Sequence, residues 1–452
     1  MIYSILKFLF RVTLKVFFKR IEVKKEVEIP DDSPLIIVAN HPSTFMDPIV
    51  IASLLKKKVF FLAKGEVFKS GFAKWLLPHF NMIPVYRKQD DPTQMQKNEE
   101  TFETCFSHLA VNGTILIFPE GVSVLQRKLE KIKTGTARIA LGAEAANQYS
   151  LDVKILVIGL NYSNPGLFRS NLFVNIGKPI DVSDFYEGYK KDAFRTVQLL
   201  TEEIRVQLET LIIAIDDGMT DELVKDIETI YKKKLLKETG NKTKEQEFIL
   251  TKTIVEAVKF FHDREPQRVE EIKREVDNYF GALDRLHLND YLLRSFNRKR
   301  SVFLNSIFTF LFLVLGFPLF VFGFINNYLP YKIPYFIARA ITSDKGWYGA
   351  IFITSGLIMF ILFYPLQIYL ATIYIHNLWY TIAYVILLPI SGFFAWTYYR
   401  RFTNVRGKWL VFSLFYNRAH LISGLIQQRE MIIRKLEEAR KEFNQMREVF
   451  SE

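Results

Sequence analysis

The chain has 452 residues, a formal net charge of +12 and one cysteine, Cys105. Its length suggests two or three domains. The lone cysteine excludes an intrachain disulfide framework and suits a reducing compartment. Hydrophobic residues make up 49% of it, too many for an ordinary soluble enzyme and too few for a transporter built only of spanning helices, so a soluble part joined to a membrane part fits best.

The positive balance calls for an anionic partner, either nucleic acid or an anionic membrane surface. Lysines and arginines lie beside hydrophobic segments more often than in isolated blocks, which favours membrane lipid over nucleic acid. The sequence has no zinc spacing, no GxGxxG and no Walker-type loop, so metal and nucleotide cofactors are not expected.

The first twenty residues, MIYSILKFLFRVTLKVFFKR, are interrupted by Lys7, Arg11, Lys15 and Lys19. No uncharged stretch there is long enough for a signal peptide core or a membrane crossing. On a helix the cations form one stripe, with Phe8, Leu9, Val12, Val16 and Phe17 away from it. That pattern predicts an interfacial helix over 1–28, its apolar face in the acyl boundary and its cations on lipid phosphate. The alternative is an amphipathic helix packed on its own domain.

From 29 to 184, short apolar runs alternate with helical stretches. The runs are Leu35–Ala39, Val59–Ala63, Met82–Tyr86, Ile115–Phe118, Lys154–Leu160 and Leu172–Ile176. Helix-like segments such as Pro92–Val111 and Thr136–Asn147 lie between them. This predicts an α/β domain whose sheet is covered on both faces. A charged helical region follows over 185–296, with Ala193, Val197, Leu200, Ile204, Leu208 and Leu211 on one stripe.

The region 297–412 reads as transmembrane. Residues 302–325 and 348–399 carry no charge, and His376-Asn377 suggests a hairpin between two spans in the second stretch. Basic clusters flank the region on both sides: Arg298, Lys299 and Arg300 before it, Arg400, Arg401, Arg406 and Lys408 after it. The positive-inside tendency puts both clusters, and the catalytic domain, on the cytoplasmic face. Residues 328–347, with Pro330 and Pro334, read as a less apolar connector. An even number of crossings must then separate the two clusters: either the first segment doubles back or Pro334–Ile341 adds a short fourth element, and 302–325 is expected to be bent or re-entrant at Gly316 and Pro318 and packed on the 348–399 hairpin. Residues 413–452 form a charged helix. Its apolar spacing, broken by Arg429, suits a short coiled coil or docking on the 185–296 helices.

Four stretches carry chemistry, each following or ending an expected strand. In NHPSTFMDP, His41 follows a buried strand and Asp47 lies six positions later. The C-terminal edge of an α/β sheet is where such folds hold ligands. Arg87, in MIPVYRK, ends an apolar strand, and its planar guanidinium suits a phosphate. Glu120 and Gly121, in ILIFPEGVS, leave another strand, the glycine allowing close backbone approach. Lys133 precedes a helix start at Gly135, a place suited to an anion. Together they make a base in a cationic pocket: His41 could take a hydroxyl proton while Asp47 fixes the imidazole tautomer.

These blocks resemble the glycerolipid acyltransferase family, which includes the glycerol-3-phosphate and 1-acylglycerol-3-phosphate acyltransferases. NHPSTFMD, IPVYR, FPEGVS and LVIGLNY match its blocks in order and separation over roughly residues 30–180. The resemblance implies His41 as general base with Asp47 as its partner, and Arg87 on the acceptor phosphate. Glu120 and Gly121 would line the acceptor site, with Lys64 and Lys133 flanking the phosphate pocket. No cofactor is implied; acyl-CoA or an acylated carrier protein is the thioester co-substrate. The implied activity is fatty acyl transfer to a hydroxyl of a glycerol phosphate in phospholipid synthesis. Lysophosphatidic acid is the acceptor expected first, since the chain is membrane-rich. Glycerol 3-phosphate or dihydroxyacetone phosphate, a lysophospholipid with a larger head group, or a non-enzymatic lipid-binding role are the alternatives. Three departures stand out. Five residues rather than four separate His41 from Asp47, Asn81 replaces a glycine before the arginine strand, and Ile158 replaces a proline in the last block. The expected architecture is therefore an acyltransferase-type α/β domain with an N-terminal interfacial helix, a helical insert and a C-terminal transmembrane helical region.

Overall fold

Residues 35–39 are five consecutive apolar residues, and all five are buried. Their alternate side chains enter two separate cores, which only a sheet covered on both faces provides. The structure, a computed structural model, describes residues 2–68, 71, 75, 77–86, 96–215, 218–240, 243–296, 299–417 and 419–451. It resolves into two compact units, Met1–Asp216 with Ala338–Thr354, and Asp217–Ile337 with Ser355–Glu452.

In the first unit the strands are β1 (Arg20–Lys25), β2 (Leu35–Ala39), β3 (Phe60–Lys64), β4 (Met82–Val85), β5 (Thr114–Ile117), β6 (Lys154–Tyr162), β7 (Asn171–Ile176) and β8 (Ile180–Asp181). Their order is β1-β7-β6-β2-β5-β3-β4, with β8 on β6. β2 runs parallel to β5 and β6, and β3 parallel to β4 and β5. The C-terminal ends of these strands therefore share one sheet edge. β7 and β8 pair antiparallel with β6.

The unit's long helices are α1 (Ile2–Phe17), α2 (Met46–Leu54), α3 (Asn98–Ala110), α4 (Gly135–Ala146) and α5 (Ala193–Leu211). Ile36 and Val38 of β2 face Cys105 and Leu109 of α3, Ile139 and Ala140 of α4, and Leu200 and Leu208 of α5. Leu35, Ile37 and Ala39 face Leu14 and Phe17 of α1 and Met46, Val50 and Ile51 of α2. Each fully buried Ile or Leu stabilises the domain by about 1.5–3 kcal/mol relative to exposure.

The structure redraws three sequence boundaries. Residues 20–25, read as part of a 1–28 interfacial segment, are the sheet's edge strand, and their alternation of charged and apolar residues hid them. The 193–211 stripe, assigned to the 185–296 insert, packs on the sheet as α5. Residues 338–354, inside the expected membrane region, belong to the first unit.

The N-terminal helix also differs from expectation. Lys7 Nζ donates to the carbonyls of Lys56 at 3.2 Å and Lys57 at 3.4 Å, and Arg11 donates to Ser53 O at 2.6 Å. These cations satisfy carbonyls at and beyond the C-terminal end of α2, where positive charge is favoured. Ile5, Phe8, Val12 and Val16 instead face outward. The helix is docked on its own domain with an apolar stripe exposed. A fluorophore on a cysteine at Phe8 in the bilayer-reconstituted full chain should be quenched by spin-labelled lipid. The same probe at Ser107, exposed on α3 across the sheet, should not. Equal emission at both sites in such lipid would contradict contact between this stripe and the bilayer.

The second unit holds α6 (Lys244–Arg264), α7 (Pro266–Arg285), α8 (Lys299–Ile341), α9 (Tyr348–Tyr374), α10 (Leu378–Asn417) and α11 (Ala419–Ser451), α8 and α9 each passing into the first unit at residues 338–354. Thr243 caps α6 by accepting from Gln246 N, and Pro266 starts α7, where a missing N–H has no helical partner to lose. α11 docks on these helices rather than forming a separate coiled coil. Ile422, Leu425, Ile432, Leu436 and Phe443 are buried. Arg429, the break in its apolar spacing, forms a buried ion pair with Asp290 at 2.6 Å and donates to Ile230 O at 2.9 Å. Tyr279 OH also donates to Asp290, at 2.9 Å.

Among the described residues, three helices are long and apolar enough to cross a membrane, over Phe308–Ile341, Lys345–Tyr374 and Leu378–Arg406. α8 continues through Gly316 and Pro318, so the chain reversal expected there is absent. Residues 328–341, read as a connector, are its last turns. The expected packing of this segment on the 348–399 hairpin is present: Phe312 lies 5.4 Å from Phe394, and Phe320 stacks on Tyr398 at 4.4 Å.

Candidate active site

Asn40 follows β2 and bridges β6 with both ends of its amide. Its Nδ2 donates to Leu160 O at 3.0 Å and its Oδ1 accepts from Leu160 N at 2.7 Å. That clamp fixes where the chain leaves the sheet, and His41 comes next. A turn over 42–45 leads into α2, whose second residue is Asp47. Thr44 adopts φ 32°, a left-handed value uncommon for a non-glycine residue. This local distortion lies within the turn that joins His41 to Asp47.

His41 Nδ1 and Asp47 Oδ2 are 2.8 Å apart. Ser43 N donates to the same oxygen at 2.7 Å, and Tyr162 OH donates to Oδ1 at 2.7 Å. Asp47 is fully buried, while the His41 side chain keeps 19% exposure. A buried carboxylate surrounded by donors keeps the proton on Nδ1. That leaves Nε2 with its lone pair, the form a general base needs. The imidazole also stacks on Phe118, with centroids 3.9 Å apart and planes 12° from parallel. Burial and Asp47's charge push the Tyr162 hydroxyl well above its ordinary range, so it stays a donor.

Glu120 serves the same loop from β5. Its Oε1 accepts from His41 N at 3.0 Å and its Oε2 from Glu130 N at 2.9 Å. Burial raises its carboxyl above the usual range, and the two N–H bonds oppose the rise. Gly121, at φ 70°, makes the turn beyond the strand. Thr44 N donates to Ser123 Oγ at 2.9 Å, and Val124 N to His41 O at 3.2 Å. The FPEGVS turn and the histidine loop are thus one hydrogen-bonded structure. Glu120→Ala should remove partners from two backbone N–H groups, at about 1–3 kcal/mol each. The unfolding temperature and the activity should fall together. An alanine variant with unchanged unfolding would mean that Glu120 does not brace the loop.

The structure brings His41, Asp47, Glu120 and Gly121 together. Lys64, at the end of β3, is ion-paired with Glu66. Lys133 is exposed, its backbone N–H tied to Pro119 O at 2.8 Å. Arg87 lies outside the described residues. Tyr86 before it is clamped by Asn98, which accepts from Tyr86 N at 2.9 Å and donates to Tyr86 O at 2.6 Å. Asn81 takes φ 59°, which explains how asparagine replaces glycine there. The local sequence pattern assigns no role to Tyr162, Asn40, Ser43 N–H or Phe118. All four lie within or beside the quoted blocks, and only the three-dimensional pairing of β2 with β5 and β6 reveals their roles.

The Acyltransferase family profile matches residues 20–161. Glycerol-3-phosphate O-acyltransferase 2 of Saccharomyces cerevisiae is 41% identical over 108 residues, 24% of this chain and 14% of that protein. Glycerol-3-phosphate O-acyltransferase 1 of the same yeast is 24% identical over 383 residues, 65% of this chain and 49% of that protein. The chain thus spans about half the length, or less, of these two relatives. The crystal structure of the 1-acyl-sn-glycerophosphate (LPA) acyltransferase PlsC from Thermotoga maritima matches 45% of this chain and 79% of that chain, at 21% identity and a TM-score of 0.29. The stretch similar to the Acyltransferase family, residues 20–161, holds the histidine loop and the FPEG turn and ends one residue before Tyr162.

Proposed function

We propose that this protein transfers a fatty acyl group from an acyl thioester, acyl-CoA or an acylated carrier protein, to a hydroxyl of a glycerol phosphate. The observation that carries the reading is His41, oriented through Nδ1 by a buried Asp47 within an acyltransferase-family domain. Nε2 removes the hydroxyl proton and the alkoxide attacks the thioester carbonyl. The tetrahedral intermediate collapses with loss of thiolate. The acceptor hydroxyl is itself the nucleophile, so no serine or cysteine nucleophile is needed. Cys105 is buried in the core, its thiol pushed up to about 12 by burial, and is unsuited to that role.

The names of the two yeast relatives favour glycerol 3-phosphate as acceptor. Lysophosphatidic acid, expected first from the membrane-rich sequence, is the second reading. Purified protein given labelled acyl-CoA and each acceptor separately tests both. Glycerol 3-phosphate should be acylated at the higher kcat/KM. Acylation of lysophosphatidic acid alone would overturn this choice, and acylation of neither would overturn the activity.

Arg87, two residues past β4 in the sequence, is proposed to hold the acceptor phosphate, with Lys64 and Lys133 flanking it. Arg87→Lys loses the two-pronged guanidinium geometry. KM for the phosphorylated acceptor should rise about tenfold, a loss of about 1.4 kcal/mol, with the thioester KM little changed. An equal rise for both substrates would contradict a phosphate-specific role. The domain is proposed to face the cytoplasm, as the basic clusters flanking the apolar helices suggest.

A further inference from the structure

We propose that α8 does not cross the membrane: it enters and leaves the bilayer on the side that carries the histidine loop, and only α9 and α10 span it. α8 has 43 residues, about 65 Å at the helical rise and roughly twice the hydrocarbon thickness. Phe308, Phe317, Phe324, Leu329, Phe336 and Ile341 are exposed along it. Lipid is the partner such a surface fits.

Its contacts with the hairpin set its course. About two-thirds of the way along it, Asn326 Oδ1 accepts from Tyr384 OH at 2.9 Å and Asn326 O accepts from Gln367 Nε2 at 2.8 Å. Asn327 Oδ1 accepts from Tyr364 OH at 2.7 Å, and its Nδ2 donates to Leu388 O at 3.2 Å. These partners lie on both arms of the hairpin, about 10–15 Å from its turn at the helical rise. Towards the start of α8, Phe312 lies under the Arg401 guanidinium at 4.2 Å, and Tyr398 OH donates to Leu313 O at 2.8 Å. Towards its end, Pro334 packs 3.8 Å from where a side chain on Gly356 would begin. Arg401 and Gly356 are roughly 25–35 Å from the hairpin turn. Residues 326–327 are therefore the deepest point of α8, and both ends return to the open end of the hairpin.

Backbone chemistry supports this course. Pro318, Pro330 and Pro334 lie on the two sides of residues 326–327, where prolines bend a helix. Pro330 has no N–H to give the Asn326 carbonyl, and Gln367 supplies the missing donor. An apolar surround demands such compensation.

A second observation is independent of the hairpin. The residues joining α8 to α9 lie on the catalytic domain. Ser43 Oγ donates to Gly346 O at 3.2 Å, and Phe45 meets Trp347 edge-on at 5.4 Å. Gly349 is so close to Pro165 that an added Cβ would lie 2.2 Å from its carbonyl. Among the described residues, no candidate span lies between the catalytic domain and Phe308. α8 thus begins and ends on one side. At the hairpin's far end, Tyr374, Trp379 and Tyr380 are exposed, the aromatic girdle expected at the opposite interface.

The test uses the full chain in sealed vesicles and a membrane-impermeant maleimide. Single cysteines replace Ser107, Ser343 and His376, and buried Cys105 stays as the unreactive background. Lys345→Cys duplicates Ser343→Cys should that variant express poorly. Ser107→Cys and Ser343→Cys should label from the same face, and His376→Cys from the other. Labelling at Ser343 from the face opposite Ser107 means that α8 crosses, and overturns the proposal. Labelling at His376 from the same face as Ser107 means that the hairpin does not span, and overturns it equally. Neither readout depends on enzyme activity.

Discussion

His41→Ala is expected to lower kcat by about 10²–10⁴-fold while leaving the fold intact. The ring is 19% exposed and its Nδ1 is held by Asp47. Truncation therefore removes a partly solvated side chain from the edge of the sheet rather than a core element. The loop keeps its backbone bonds, from His41 N to Glu120 and from Val124 N to His41 O. KM for both substrates should stay within a few-fold, because the imidazole acts on a proton rather than on the phosphate or acyl chain. Steady-state kinetics with unfolding curves for both proteins check this. An alanine variant with near-normal kcat would mean that His41 is not the base.

Asp47→Asn is expected to have the second-largest effect, also about 10²–10⁴-fold in kcat. Three donors converge on two carboxylate oxygens: Ser43 N–H, His41 Nδ1–H and Tyr162 OH. An amide presents one oxygen and one NH2. With the NH2 towards His41, Nδ1 must become an acceptor and the proton moves to Nε2, which silences the base. With the NH2 towards Tyr162, the hydroxyl can rotate to accept, but the negative charge that stabilises imidazolium is gone. Tyr162→Phe supplies the contrast. It removes one donor and leaves the carboxylate and tautomer in place, so the expected fall is about tenfold or less. If the asparagine and phenylalanine variants lost activity equally, Asp47 would be a packing anchor and the tautomer argument would fail.

Much of this site was legible because its residues sit in short local blocks at strand ends. β2 and β5 are uniformly buried, and such runs read clearly as strands. β1 was missed because Arg20, Glu22, Lys24 and Lys25 give an edge strand the look of a polar linker. The direction of α1 was misjudged for a different reason. Periodicity shows that its cations form a stripe, but not that the carbonyls at and beyond the end of α2 receive Lys7 and Arg11. Tyr162 was quoted within its block, yet its role depends on β6 lying beside β2, a long-range pairing that no local pattern encodes. The expected break at Gly316 and Pro318 followed proline's local rule. In the fold α8 stays helical there, with Gly316 giving room to Phe394.

The central claim is direct attack by the acceptor hydroxyl, with His41 as its base. It is tested most directly by rapid mixing of the purified protein with acyl-CoA while released CoA thiol is followed. The account predicts no CoA release without acceptor and, on adding glycerol 3-phosphate, one CoA for each ester formed, a signal absent in His41→Ala. A stoichiometric burst of CoA without acceptor, with the acyl group left on the protein, would contradict it.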